Sequence, residues 1–292
     1  MGRFGKGWLA AGYAFLYLPI AWLVVYSFNE SKLASLWTGF SFKWYGALLQ
    51  DDQILSALLM SLKIAFFAAS AAIVLGTMAA FAVVRYKRFA GRTTFLAHIN
   101  APLVVPEVIT GLSLLLFFVA CEEVLGFPSG RGVFTIWIGH TSICTAYAAV
   151  VIQARLSEVD RSVEEAAMDL GCRPFQVFLL VTLPAIAQSL ASAWLLTFTI
   201  SLDDVVSTSF LNGPGSTTLP LVIFSRARLG LDPIVNVIAT ITVLLVGIAV
   251  TIASILLVRQ ERARAAAQAT AYREAIGAAP DARFTRTLEA RR

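Results

Sequence analysis

Six long runs almost free of charge, spaced along 292 residues, constrain this chain more than any other feature. They lie at about 8–28, 57–84, 99–120, 133–153, 184–206 and 233–258. Each holds roughly 20 residues or more, and at 1.5 Å rise per residue such a helix crosses the ~30 Å hydrocarbon of a bilayer. No water is available there to satisfy backbone N–H and C=O groups, so a span must be a helix or part of a closed barrel. Barrel strands alternate in short segments, whereas these runs are continuous blocks. An all-α membrane protein with six transmembrane helices is expected. The third run is the most interrupted, by Pro102, Pro106 and Glu107.

Composition narrows the chemistry. With 58% hydrophobic and 14% charged residues, the chain is too apolar for an ordinary soluble domain. Cys121, Cys144 and Cys172 show no paired spacing, and two histidines cannot sustain a metal cluster, so neither a disulfide framework nor a metal site is expected. The net charge of +5 raises nucleic acid as a partner, but its distribution argues for membrane topology instead.

That distribution sets the orientation. With the N-terminus inside, 17 lysines and arginines fall in cytoplasmic pieces and five in outer loops; without the tail the ratio is nine to five. Both termini are predicted cytoplasmic: residues 1–7 as a short lead, 8–258 as the six-helix domain and 259–292 as a basic tail. The tail is expected to extend the sixth helix, then to become disordered and to rest near the anionic leaflet. The first run exceeds a usual signal core and no small-x-small site follows Phe28, so it reads as an uncleaved anchor. Trp8, Tyr13, Tyr17, Trp22 and Tyr26 suit the two interfaces.

The segment 154–183, between the fourth and fifth runs, is the most patterned polar stretch. Ser162-Val163-Glu164-Glu165 has the capping-box arrangement, with Asp160 as a competing cap. Ala166, Ala167, Met168 and Leu170 favour helix, Gly171 is a natural stop, and Pro174 suits the first turn of a second helix. The expected object is a short helix of small alanines flanked by Glu164, Glu165 and Asp169, able to approach a basic partner surface closely. No Gly-x4-Gly-Lys-Ser/Thr segment is present to cradle nucleotide phosphates.

Charges in the apolar runs mark a candidate path, because a charge facing lipid costs several kcal/mol. Glu107 lies roughly 12 Å into the third run from the inside. Asp203-Asp204 sits near the outer end of the fifth, where it serves the path, caps the next segment or faces periplasmic water. Three carboxylates suit a cationic solute. Lys63 is expected to snorkel and His140 to be a hydrogen-bonded packing residue. A turn cluster at 212–220 precedes a short helix over 221–229, whose Arg226 and Arg228 face either a partner or water.

Glu165-Ala166-Ala167, three residues, Gly171, nine residues, Val181, one residue and Leu183-Pro184 resembles the cytoplasmic coupling loop of ABC importer permeases. The resemblance extends through Tyr26-Ser27-Phe28-Asn29, Ala101-Pro102-Leu103-Val104-Val105-Pro106-Glu107, Asp160-Arg161-Ser162, Ser201-Leu202-Asp203-Asp204 and Thr218-Leu219-Pro220. To about Gln260 the chain resembles permease subunits of polyamine importers, the putrescine permeases most of all. Departures are Arg173, where relatives often carry Ser or Thr, and Glu107, which can be Asp.

The resemblance implies a binding-protein-dependent (type I) permease fold in the bacterial inner membrane. It implies ATPase coupling through Glu164, Glu165, Ala166, Ala167, Asp169 and Gly171, and a substrate path through Glu107, Asp203 and Asp204. No catalytic residue and no cofactor is expected in the chain; ATP-Mg would be bound by a partner. The implied partners are two ATPase subunits, a homologous second permease and a periplasmic polyamine-binding protein. The alternatives are an ABC permease for another small solute and an ion-coupled secondary transporter using the same carboxylates.

Overall fold

The computed structural model describes residues 2–32, 36–86, 88–229, 233–245, 247, 248, 251, 255 and 259. The tail beyond Arg259 and most of the last stretch of the sixth run lie outside the described residues. All regular structure among the described residues is helical, apart from an isolated antiparallel bridge between Asn29 and Phe40. In chain order the helices are α1 (Arg3–Tyr26), α2 (Lys43–Leu49), α3 (Asp52–Arg85), α4 (Arg92–Val104), α5 (Glu107–Leu125) and α6 (Val133–Glu158). They continue with α7 (Arg161–Asp169), α8 (Pro174–Ala185), α9 (Ala187–Asp203), α10 (Val206–Leu211), α11 (Leu219–Leu229) and α12 (Pro233–Leu245).

Two compact units divide the chain, one of 1–44 with 236–292 and one of 45–235. In the first, α1 leaves its apolar side chains exposed, as a span that meets lipid or another chain must. Below it a polar turn is tied by Asn29. Its side chain donates to Leu36 O at 2.7 Å and accepts from Thr38 N at 3.1 Å, while its carbonyl accepts from Trp44 Nε1 at 2.9 Å.

The core of the second unit is α3 packed on α6 and α9. Between lipid-facing helices the hydrophobic effect gives little, so close approach through small residues and hydrogen bonds must hold them. The buried side of α3 is accordingly Ala65, Ala68, Ala69, Ala72, Gly76 and Ala80, set against Ala148, Ala149 and Ile152 of α6 and Ala193 of α9. A Cβ on Gly76 would lie 2.7 Å from the Ala148 Cβ. Trp194 Nε1 donates to Ser70 Oγ at 3.2 Å, Ser189 Oγ to Val151 O at 3.2 Å, and Leu219 N to Ser61 Oγ at 2.8 Å.

Four described helices, those at the first, second, third and fourth runs, are long and apolar enough to span a membrane, and a bent pair adds a fifth. Two expected spans change shape. The third run is split between α4 and α5, because Val105 before Pro106 is pushed to extended backbone (φ −76°, ψ 131°). Pro102 stays inside α4. Glu107 is thus the first residue of a 19-residue span, not a residue part-way through one. The fifth run bends by 70° at Ile186, between α8 and α9, and ends at Asp203. The sixth is described as the 13 residues of α12.

Candidate functional site

Where α9 runs out, Asp204 adopts extended backbone (φ −65°, ψ 124°) and the chain turns into α10. The unpaired amides at the start of a helix attract a carboxylate. Asp204 Oδ1 accepts from Ser207 N at 3.1 Å, and Oδ2 accepts from Thr208 N and the Thr208 hydroxyl, each at 2.8 Å. That same Oδ2 lies 3.0 Å from His140 Nε2 of α6. On its other side the His140 ring has Nδ1 2.7 Å from Ser201 Oγ. His140 is a buried hydrogen-bonded packing residue, as expected. Of its expected roles Asp204 takes the cap of α10, and it also fixes α6 to the α9–α10 corner.

These groups form one wall of a cavity of about 400 Å³. Glu107 and Thr110 of α5, Pro102 of α4, Tyr147 of α6, and Asp203 and Ser207 complete the polar rim. The three carboxylates foreseen as one path, Glu107 lying 96 residues before the adjacent Asp203 and Asp204, all line a single cavity. Asp204 is consumed by its hydrogen bonds. Glu107 and Asp203 are exposed and form no ion pair among the described residues. The Ser207 hydroxyl is buried at the wall without a hydrogen-bond partner among the described residues. Nothing local in the sequence signalled Ser207, Thr110 or Tyr147; packing alone brings them here. Gly111 lets α5 approach α10, since a Cβ there would lie 2.7 Å from the Phe210 ring.

The second candidate surface is α7 with the turn that follows. Asp160, not Ser162, caps it: the Asp160 carboxylate accepts from Ser162 N at 2.9 Å. The Ser162 backbone already lies inside the helix, so the capping-box reading gives way to its competitor. This backbone hydrogen bond holds the Asp160 carboxyl below its ordinary value. At the other end Cys172 N donates to Ala167 O at 3.1 Å and Gly171 N to Met168 O at 2.9 Å. That pair is a Schellman stop, and Gly171 takes the left-handed φ of +90° it requires.

Glu165, Ala166 and Asp169 are exposed on α7, together with Val163, Met168 and Leu170. Leu170 is 87% exposed, a large apolar side chain that nothing among the described residues covers. The surface is thus apolar with acidic members, more so than the alanines suggested. Glu164 departs from the expectation of a partner-facing acid. It is buried, ion-paired with Arg85 of α3 at 2.6 Å, and accepts from the Thr182 hydroxyl at 2.7 Å. Its place in the helix turns it inward while Glu165 faces out.

Arg226, expected to face a partner or water, instead clamps two elements. It reaches Asp51 at 2.8 Å and Gln53 at 2.9 Å, joining α11 to the start of α3. Burial pushes the Asp51 carboxyl up, but hydrogen bonds from Arg226 and Ile54 N and the Arg226 charge outweigh it, leaving the group below its ordinary value. Arg228 lies over the Phe224 ring. Lys63 is exposed on α3. Among the described residues no group of three or more His, Cys, Asp or Glu side chains is placed to hold a metal ion.

The family described as binding-protein-dependent transport system inner membrane component matches residues 72–264. The chain is 54% identical to the putrescine transport system permease protein PotI of Escherichia coli (strain K12), over 88% of this chain and 91% of that one. To the spermidine/putrescine transport system permease protein PotC of the same organism it is 36% identical, over 87% and 94%. A solved bacterial ABC transporter involved in import of the acidic polysaccharide alginate has the same fold, with a TM-score of 0.65 at 18% identity over 86% of this chain and 94% of that one.

Proposed function

We propose, from the premise that the chain belongs to the binding-protein-dependent transport system inner membrane components, that it is the permease subunit of an ATP-driven polyamine importer whose solute is putrescine. It is an all-helical, multi-pass membrane protein of the type I ABC permease fold. The substrate class rests on one observation: a cavity of about 400 Å³ where Glu107 and Asp203 stand without cationic partners among the described residues, beside Asp204. An alkyl diamine carries two ammonium groups, and two unpaired carboxylates offer each a charge-assisted hydrogen bond. In a low-dielectric surrounding such pairing offsets the loss of hydration that would otherwise bar a cation.

In this reading the solute path is completed by a homologous second permease, and a periplasmic polyamine-binding protein delivers to it. Hydrolysis belongs to two separate ATPase subunits, which bind ATP-Mg and press on the exposed face of α7. The exposed Val163, Met168 and Leu170 beside Glu165 and Asp169 support that docking, since an apolar patch with an acidic rim suits a partner cleft. The excess of basic residues in the inner pieces supports cytoplasmic termini. Cysteine labelling near Lys43 from outside and near Gly171 from inside tests that orientation.

The deciding experiment is uptake by proteoliposomes holding the purified complex. Putrescine uptake that requires ATP, the ATPase and the binding protein is expected. Uptake driven by an ion gradient with no ATPase present would identify a secondary transporter instead.

A further inference from the structure

The buried cluster of Arg85, Glu164 and Thr182 is not used by either candidate surface. It ties α3 to two consecutive elements much later in the chain, α7 and α8. Arg85 ends α3, the helix that runs through the packed core. Glu164 sits in the first turn of α7 and is turned inward, away from Glu165. Thr182 lies in α8, within the π-helical turn Phe178–Thr182 that leads to the bend at Ile186. Both Arg85 Nη2, at 2.6 Å, and the Thr182 hydroxyl, at 2.7 Å, converge on Glu164 Oε1. The Arg85 and Glu164 side chains are 6% and 11% exposed, so water does not screen the pair. Beside it Phe81 of α3 meets Phe178 edge to face, with ring centroids 5.4 Å apart.

We infer that Arg85, Glu164 and Thr182 are positioning residues that carry motion of α7 into α3 and α8, and so into the membrane core. The inference rests on the reading of α7 as the surface an ATPase moves. A short helix held only by loops at both ends would rotate in place when pushed. A buried charge pair holding the helix to α3 resists that rotation, because separating the partners leaves each charge buried and uncompensated. The hydroxyl contact directs the same displacement to the segment just before the 70° bend, on the chain that leads through α9 to Asp203 and Asp204. Force applied at Glu165 and Asp169 thus has a continuous route to the carboxylate cavity.

The test measures putrescine taken up per ATP hydrolysed, in the reconstituted complex with its ATPase and loaded binding protein. Glu164→Gln keeps the shape and the acceptor for Thr182 but removes the charge that holds Arg85. Expected is a complex that still co-purifies and hydrolyses ATP while uptake per ATP falls roughly three- to tenfold, the range by which coupling elements act. Thr182→Val, which leaves both charges in place, gives a smaller fall in the same ratio. The exchanged pair Arg85→Glu with Glu164→Arg recovers part of what Glu164→Gln loses. A merely structural pair would lower the yield of complex and leave the ratio unchanged. An unchanged ratio in both Glu164→Gln and Thr182→Val overturns the inference; if Glu164→Gln does not assemble, Thr182→Val alone decides it. Were the unmodified complex to take up putrescine without its ATPase, the reading of α7 itself would fail, which is a distinct result.

Discussion

Asp203 and Asp204 are adjacent in the chain and do different work. Asp204 is saturated by two amides, a hydroxyl and an imidazole, whereas Asp203 is exposed at the cavity rim across from Glu107. Removing charge at the two unsaturated positions should therefore lower uptake without disturbing the fold. Glu107→Gln and Asp203→Asn are each expected to reduce putrescine uptake about tenfold, the equivalent of roughly 1.4 kcal/mol, at unchanged yield of complex. Flux equal to the unmodified protein would take that residue off the path. Asp204→Asn should instead lower thermal stability in detergent by about 1–2 kcal/mol, through the loss of a cap and a buried partner. At the other end of α3, Asp51 makes a pH-dependent clamp with Arg226. A carboxyl lowered in the folded state stabilises above its unfolded value and loses that contribution as pH falls through the folded one. The α3–α11 tie should hold from neutral pH down through the ordinary carboxylate range and release only below it. Amide exchange at the start of α3 measures this, and Arg226→Ala should abolish the acid step.

At the scale of elements, α7 is defined by its ends. Asp160 and the turn at Gly171 fix where the helix starts and stops, and so which residues face outward. No atom stands within 4 Å of a Cβ built on Gly171, so a side chain there meets a backbone penalty and no clash within the chain. A left-handed backbone costs an L-residue about 1–2 kcal/mol, more for a β-branched one. Gly171→Val is accordingly expected to re-route the chain after α7 and uncouple hydrolysis from uptake, while leaving membrane insertion intact. Normal ATP-dependent uptake by this variant would count against α7 as the coupling element. The Schellman stop was legible from Gly171 alone, because a left-handed position leaves a residue-type signature. The choice between Asp160 and Ser162 was not, since both are good caps two residues apart. The inward turn of Glu164 was equally hidden: Arg85, its partner, is 79 residues away.

For the whole molecule, the helices of the second unit are held by closeness. Gly76 sits against Ala148 and Ala149, where a side chain has no room, while Gly12 on the exposed α1 has none of its own neighbours within 4 Å. Gly76→Val should lower the midpoint of thermal unfolding, at a cost of about 1–3 kcal/mol or more, and Gly12→Val should not. Equal midpoints would mean that α3 and α6 are not in close contact. The long apolar runs, the short helix before Gly171 and the polyamine-permease resemblance could all be read along the chain, because hydrophobic length and turn chemistry are local properties. Where the third run breaks could be narrowed to two prolines, but only the backbone before Pro106 decided between them. The meeting of Glu107 with Asp203 and Asp204, the fixing of Asp204 by His140, and the buried hold of Arg85 on Glu164 belong to the tertiary structure. Each depends on which faces of separate helices pack together, and a linear order of residues does not specify the rotation of one helix against another.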